Sequence, residues 1–136
     1  RFHCIHLSKL NKTCRSNDNP KAIKKIINTD KLFGHWNDFV VNANWTSNIK
    51  EGFFKLWVNG KLVYHFVGRT VAPKNQITVQ FGIYRGAARS SDDANHVVYY
   101  DEIRKAKSCK KLKLGILGYS CSDLESQKLE NIYTIQ

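Results

Sequence analysis

Residues 53 to 67 read FFKLWVNGKLVYHFV, and this stretch decides the fold. Two runs of aromatic and β-branched residues are joined by Asn59-Gly60 alone. An Asn-Gly link is the strongest short-range signal for an antiparallel hairpin, because a type I′ turn needs positive φ at both central positions. The turn also sets the register. Counting outward from Val58 opposite Lys61, Trp57 faces Leu62, Leu56 faces Val63, Lys55 faces Tyr64 and Phe54 faces His65. One face then carries Phe54, Leu56, Val58 and Val63 for the core, and the other carries Lys55, Trp57 and Tyr64.

The same period-two writing extends to both sides of the hairpin. In WNDFVVNANW, residues 36–45, Phe39, Val41, Ala43 and Trp45 share one face, and Asp38, Val40, Asn42 and Asn44 share the other. ITVQFGIYR at 77–85 and HVVYYDEIRKA at about 96–106 read as two further strands. The stretch between them, GAARSSDDAN, reads as an exposed loop. Pro20 opens a short helix over PKAIKKII, and SDLESQKLENI at 122–132 reads as a helix capped by Ser122 with Glu125 three residues on. Antiparallel strands with short turns and little helix indicate an all-β fold, an antiparallel β-sandwich, rather than a βαβ arrangement. The chain divides into a basic N-terminal segment (1–31), a sandwich portion (32–107) and a C-terminal extension (108–136).

The 136 residues carry 22 Lys or Arg against 11 Asp or Glu, a formal net charge of +11. Eight of those bases, against two Asp, fall in residues 1–31. A cation of this size attracts polyanions as a class. No helix-turn-helix, zinc-finger or stacked-aromatic signature directs that charge to nucleic acid, so no specific nucleic acid is expected. No run approaches the roughly 20 apolar residues that cross a bilayer, and no membrane partner is expected. The chain begins at Arg1 and has no Met, which reads as a processed chain or a piece of a longer one. Cys4, Cys14, Cys109 and Cys121 lack the close pairs of a zinc site. Cys4 with Cys14 and Cys109 with Cys121 are the local disulfide pairings among three possible connectivities. Asp92 and Asp93 lack the spaced oxygen ligands of a calcium loop, so neither metal nor cofactor is expected. Asn11-Lys12-Thr13 and Asn44-Trp45-Thr46 are glycosylation-type triplets, relevant in a secretory pathway.

The order WNDFVVNANW, EGFFKLWVNGKLV, ITVQFGIYRG, VVYYDEIRKA resembles the heparin-lyase-like and glucuronan-lyase-like polysaccharide lyases over roughly residues 32–107. Its most specific pieces are the Trp-Val-Asn-Gly-Lys hairpin and the FGIYR strand. The resemblance implies a concanavalin A-like jelly roll and β-elimination on a uronic-acid-containing polysaccharide. The family's N-terminal half is not visible in residues 1–31. Half a sandwich leaves an uncovered apolar face, through which self-association is expected. An extracellular or periplasmic location follows from where such polymers are found.

In ITVQFGIYR, Val79, Phe81 and Ile83 project to one side, expected to be buried, and Gln80, Gly82 and Tyr84 to the other. Related lyases carry Lys, Gly and Tyr at the latter places. The Tyr is kept as Tyr84, and Gln80 stands where the Lys would be. Uronate elimination needs a group that neutralises the carboxylate, a base for the C5 proton and an acid for the leaving oxygen. Tyr84 is the catalytic candidate for the last two tasks. Gln80, Asn42 and Lys55 are candidates for the carboxylate, Arg85 or Arg89 for holding the anion, and Trp57 and Tyr64 for stacking on sugar rings. His35, His65 and His96 read as satisfied or exposed rings rather than catalytic ones, and His3 and His6 sit in roughly the chain order of a family histidine. The competing reading is a non-catalytic carbohydrate-binding module, or an inactive truncated lyase homologue, favoured by Gln80 in the place of Lys.

Overall fold

The computed structural model describes residues 28–71, 73–74, 76–82, 97–126 and 132–133. Three antiparallel strands, β1 (Phe39–Asn44), β2 (Phe53–Val58) and β3 (Lys61–Val67), follow one another as hydrogen-bonded neighbours. A two-residue strand, β4 (Ile132–Tyr133), pairs on the far side of β3. With four short elements of helix, one of them α1 (Cys121–Glu125), the described chain is an all-β fold around an antiparallel sheet.

The hairpin forms as its turn chemistry dictates. Asn59 takes φ 49 and Gly60 φ 80, the positive pair that a type I′ turn requires, and Val58 lies opposite Lys61. The Asn59 side chain adds a second task. Its Oδ1 accepts from the Asp38 N–H at 2.9 Å and its Nδ2 donates to Asn37 Oδ1 at 3.0 Å, which ties the turn to the chain entering β1.

The register counted from that turn holds for only two pairs. Trp57 faces Leu62, but Leu56 then faces Tyr64, Lys55 faces His65 and Phe54 faces Phe66. Val63 is the extra residue of a bulge in β3, and every side chain beyond it is displaced by one place. Tyr64 therefore joins Leu56, Val58, Val63, Phe54 and Leu32 on one face, and His65 moves to the face of Lys55. A bulge carries no turn residue of its own, so alternation alone does not reveal it.

The far ends of the strands are closed by backbone contact. The Gly68 N–H donates to Gly52 O at 2.8 Å, and a Cβ on Gly52 would stand 2.0 Å from Gly68 O, so only glycine fits there. Buried Thr70 receives the Thr46 N–H on its Oγ1 at 2.8 Å and donates to Asn44 O at 2.7 Å. Its own N–H donates to Thr46 O at 3.1 Å, clamping the end of β1 to the chain leaving β3.

The two outer strands expected at 77–85 and 96–106 are not strands over their described parts. Residues 76–82 and 97–106 are surface segments, and Val79 and Phe81, expected to be buried, are each 63% exposed. Glu102, at φ 52, breaks the second run, and Gly82, at φ 134, stands at the end of the described part of the first. At Glu102 the left-handed turn is braced by an Asp101 Oδ1 acceptor at 2.8 Å and by Arg104, which bonds the Glu102 carboxylate and Leu112 O. The segments still approach one another, with Phe81 and Tyr100 ring centroids 5.6 Å apart.

What covers the second face of the sheet is the C-terminal segment. Residues 109–126 run through 3-10 turns at Cys109–Leu112 and Leu114–Leu117 into α1, and a Cys109–Cys121 disulfide closes them on themselves. Leu114, Tyr119 and Leu124 pack there on Val40 and Trp57. Of the helix expected at 122–132, the described residues form Cys121–Glu125, and it ends where Ser126 turns extended at ψ 131 with its Oγ donating to Asp123 O; residues 127–131 lie outside the described residues. Its N-cap is Ser120 rather than Ser122. Glu125 accepts the Cys109 N–H at 2.9 Å instead of closing a capping box. The helix expected after Pro20 and the Cys4–Cys14 pairing lie outside the described residues.

Candidate functional site

A polar row crosses the sheet beneath that segment. Asn42 on β1 lies opposite Lys55 on β2, and Lys55 lies opposite His65 on β3. Directly opposed residues on one sheet face stand about 4.5–5.5 Å apart at Cβ, so an amide, an ammonium and an imidazole form one line. The next row is Val40, Trp57 and Leu62, an apolar flank on the same face. The bulge at Val63 makes this arrangement: unbulged pairing would put Tyr64 beside Lys55 and His65 on the opposite face.

The row is dry. Lys55 is 5% exposed and His65 2%. The Lys55 ammonium donates to Ser126 O and lies 5.6 Å from the Phe53 ring centroid, close enough for a cation–π attraction. Asn42 Nδ2 donates to Leu124 O at 2.9 Å. Neither nitrogen of His65 has a hydrogen-bond partner. Burial pushes the Lys55 pKa down, since desolvation penalises the charged form. Burial and then the Lys55 charge push His65 below its ordinary value, leaving a neutral imidazole at pH 7. Among the described residues no carboxylate pairs with Lys55, and no group of His, Cys, Asp and Glu gathers as a metal site.

A buried cation met by a neutral carbonyl dipole and a ring face favours an anion in place of the carbonyl. A neutral imidazole with a free lone pair beside it can take a proton. The row therefore has the means to bind a carboxylate through Lys55 and Asn42 and to accept a proton next to it.

Of the residues singled out from sequence, the fold brings Asn42, Lys55 and Trp57 onto one face. Trp57 lies under the C-terminal segment, so its ring meets a sugar only when that segment moves. Tyr64 is on the other face, its ring centroid 6.1 Å from that of Phe54, and burial raises its pKa. Gln80 is exposed in the 76–82 segment. Tyr84, Arg85 and Arg89 lie outside the described residues. His65, read from sequence as a satisfied or exposed ring, is buried and unsatisfied. Its place depends on the bulge, and the only sequence signal for it was its presence within an apolar strand.

The family model described as polysaccharide lyase matches residues 5–104. The match starts well before residue 32, so the family pattern takes in most of the basic N-terminal segment as well as the sheet. No curated protein and no solved structure matches the chain. Because the matched region spans well over half of the 136 residues and contains all three strands that build the Asn42, Lys55 and His65 row, the chain belongs to the polysaccharide lyase family.

Proposed function

We propose that this protein cleaves an anionic, uronic-acid-containing polysaccharide by β-elimination, outside the cytoplasm, on a jelly-roll framework to which the described sheet contributes. The observation that carries the reading is the row itself: a buried ammonium with an amide on one side, an unpartnered imidazole on the other and, among the described residues, no carboxylate paired with it. Lys55 and Asn42 bind the uronate carboxylate and withdraw charge from C5, which acidifies its proton. A base takes that proton, the C–H electron pair becomes the C4–C5 double bond, and the C4–O bond breaks as the leaving oxygen is protonated. Tyr84 is the acid at the leaving oxygen, and His65 is the base that the row supplies. Gln80 and Arg85 hold the polymer.

The test is ultraviolet absorbance of the unsaturated product during incubation with glucuronan, alginate, heparin or hyaluronan. The expected result is a rise with one polymer that Lys55→Ala and Tyr84→Phe each abolish while the fold is retained. Absence of a rise with every polymer, from folded protein whose C-terminal segment has been released as described below, overturns the enzymatic reading. The burial of Lys55 favours a second reading, a non-catalytic carbohydrate-binding module. Retention on an immobilised polyuronate that exceeds retention on DNA of equal charge density, without any product, would establish it.

A further inference from the structure

The donors of the row are occupied by the chain's own backbone. Asn42 Nδ2 donates to Leu124 O and Lys55 Nζ to Ser126 O, so two carbonyl oxygens lie where carboxylate oxygens would be bound. The segment that supplies them has little regular structure of its own: two 3-10 turns and a five-residue helix, with left-handed Lys113 and Gly118 at the joints. It is attached to the sheet by the packing of Leu114, Tyr119 and Leu124 on Val40 and Trp57, and by the Tyr119 hydroxyl, which accepts the Gly60 N–H at 2.9 Å. The Cys109–Cys121 disulfide and the Glu125 to Cys109 bond are internal to the segment. They give it one shape without fastening it to β1 or β2, and the chain rejoins the sheet at β4 on β3, so the segment can lift as a unit between its two ends.

We propose that Tyr119–Ser126 is a self-inhibitory strap whose Leu124 and Ser126 carbonyls fill the carboxylate site, and which must lift before an anionic polymer reaches Lys55. This rests on the reading of the row as that site. Exchange of the Ser126 carbonyl for a carboxylate turns the ion–dipole bond of Lys55 into an ion pair, and exchange of the Leu124 carbonyl makes the Asn42 bond charge-assisted, which is what lets substrate compete with the strap.

The test reads Lys55 directly, apart from any activity. The protein is treated with N-acetoxysuccinimide, and acetylation of Lys55 is followed by peptide mass spectrometry in the unaltered chain, in Cys109→Ser/Cys121→Ser and in Leu124→Ser. Acetylation at least about tenfold faster in both variants is expected, a burial effect of about 1.4 kcal/mol or more. Amide exchange at Val58 and Val63 must stay slow in both variants, which separates strap release from unfolding. Should either variant unfold, the unaltered chain decides: the strap requires the Leu124 N–H, bonded to Ser120 O, to exchange faster than the Val58 and Val63 amides. Equal Lys55 acetylation in folded variants and unaltered chain, or equal amide exchange, overturns the strap. Faster acetylation in the variants without product from any polyuronate leaves the strap standing and removes the lyase reading. Product formed equally fast by all three proteins overturns self-inhibition and leaves the lyase reading intact.

Discussion

His65 is held at 2% exposure with both ring nitrogens unpartnered beside a buried ammonium, and burial governs its titration. Its folded pKa lies below the ordinary 6.5, by burial first and the Lys55 charge second. Between the lowered folded value and 6.5 the unfolded chain binds more protons than the folded one, so His65 makes stability rise with pH through that window and fall on acidification. Above 6.5 the ring is neutral in both states and the effect vanishes. Thermal melts between about pH 7.5 and 5 should show a falling midpoint, and His65→Gln should flatten that fall. A slope unchanged by the substitution would contradict the assignment. None of this was legible in the sequence, because alternation counted from the turn puts Tyr64, not His65, beside Lys55. One unpaired residue at Val63 exchanges a phenol for an imidazole in the row. Asn42 and Lys55 were legible because β1 and the near half of β2 are free of bulges, so each shares a face with the residue two places away.

At the scale of elements, what could be read was set by local chemistry. The Asn59-Gly60 turn needs two positive φ values and has them, and the pairing beside it follows. Over their described parts, 77–82 and 97–106, the two outer strands expected from alternation are absent, because period two marks a chain able to lie on a half-buried sheet and says nothing about whether a neighbouring strand is there. Glu102, at positive φ, breaks the described part of the second run, and Gly82, also at positive φ, stands at the end of the described part of the first. The disulfide between Cys109 and Cys121 was one local pairing among several, and its effect on the fold was not readable: it shapes the segment that covers Trp57. Closure at the other end of the hairpin is testable. Thr70 Oγ1 serves the Thr46 N–H and Asn44 O, and a Val there keeps the shape but strands both groups. Thr70→Val should cost about 1–3 kcal/mol, read as a lowered urea midpoint with unchanged slope, and Thr70→Ser should recover most of it. A Val variant as stable as the parent would mean that the clamp contributes nothing.

The whole molecule sets a long-range cationic field against a short-range, closed site. A net charge of +11, with eight bases in residues 1–31, draws in any polyanion, and that attraction falls steeply as salt rises. Lys55 contributes little to it from outside because it is buried, so charge gathers polymer at the surface and the row discriminates only after the strap moves. These two steps separate in a salt titration. At low ionic strength, DNA and a polyuronate of equal charge density should bind with similar affinity, each losing it along a steep line in log salt. With the strap released, the polyuronate should keep a component that salt weakens less, since a desolvated ion pair is screened far less than surface charges. Lys55→Ala should remove that component and leave the DNA curve unchanged. Parallel curves for the two polymers in the released protein would show that the row recognises no carboxylate and that binding is a matter of net charge alone.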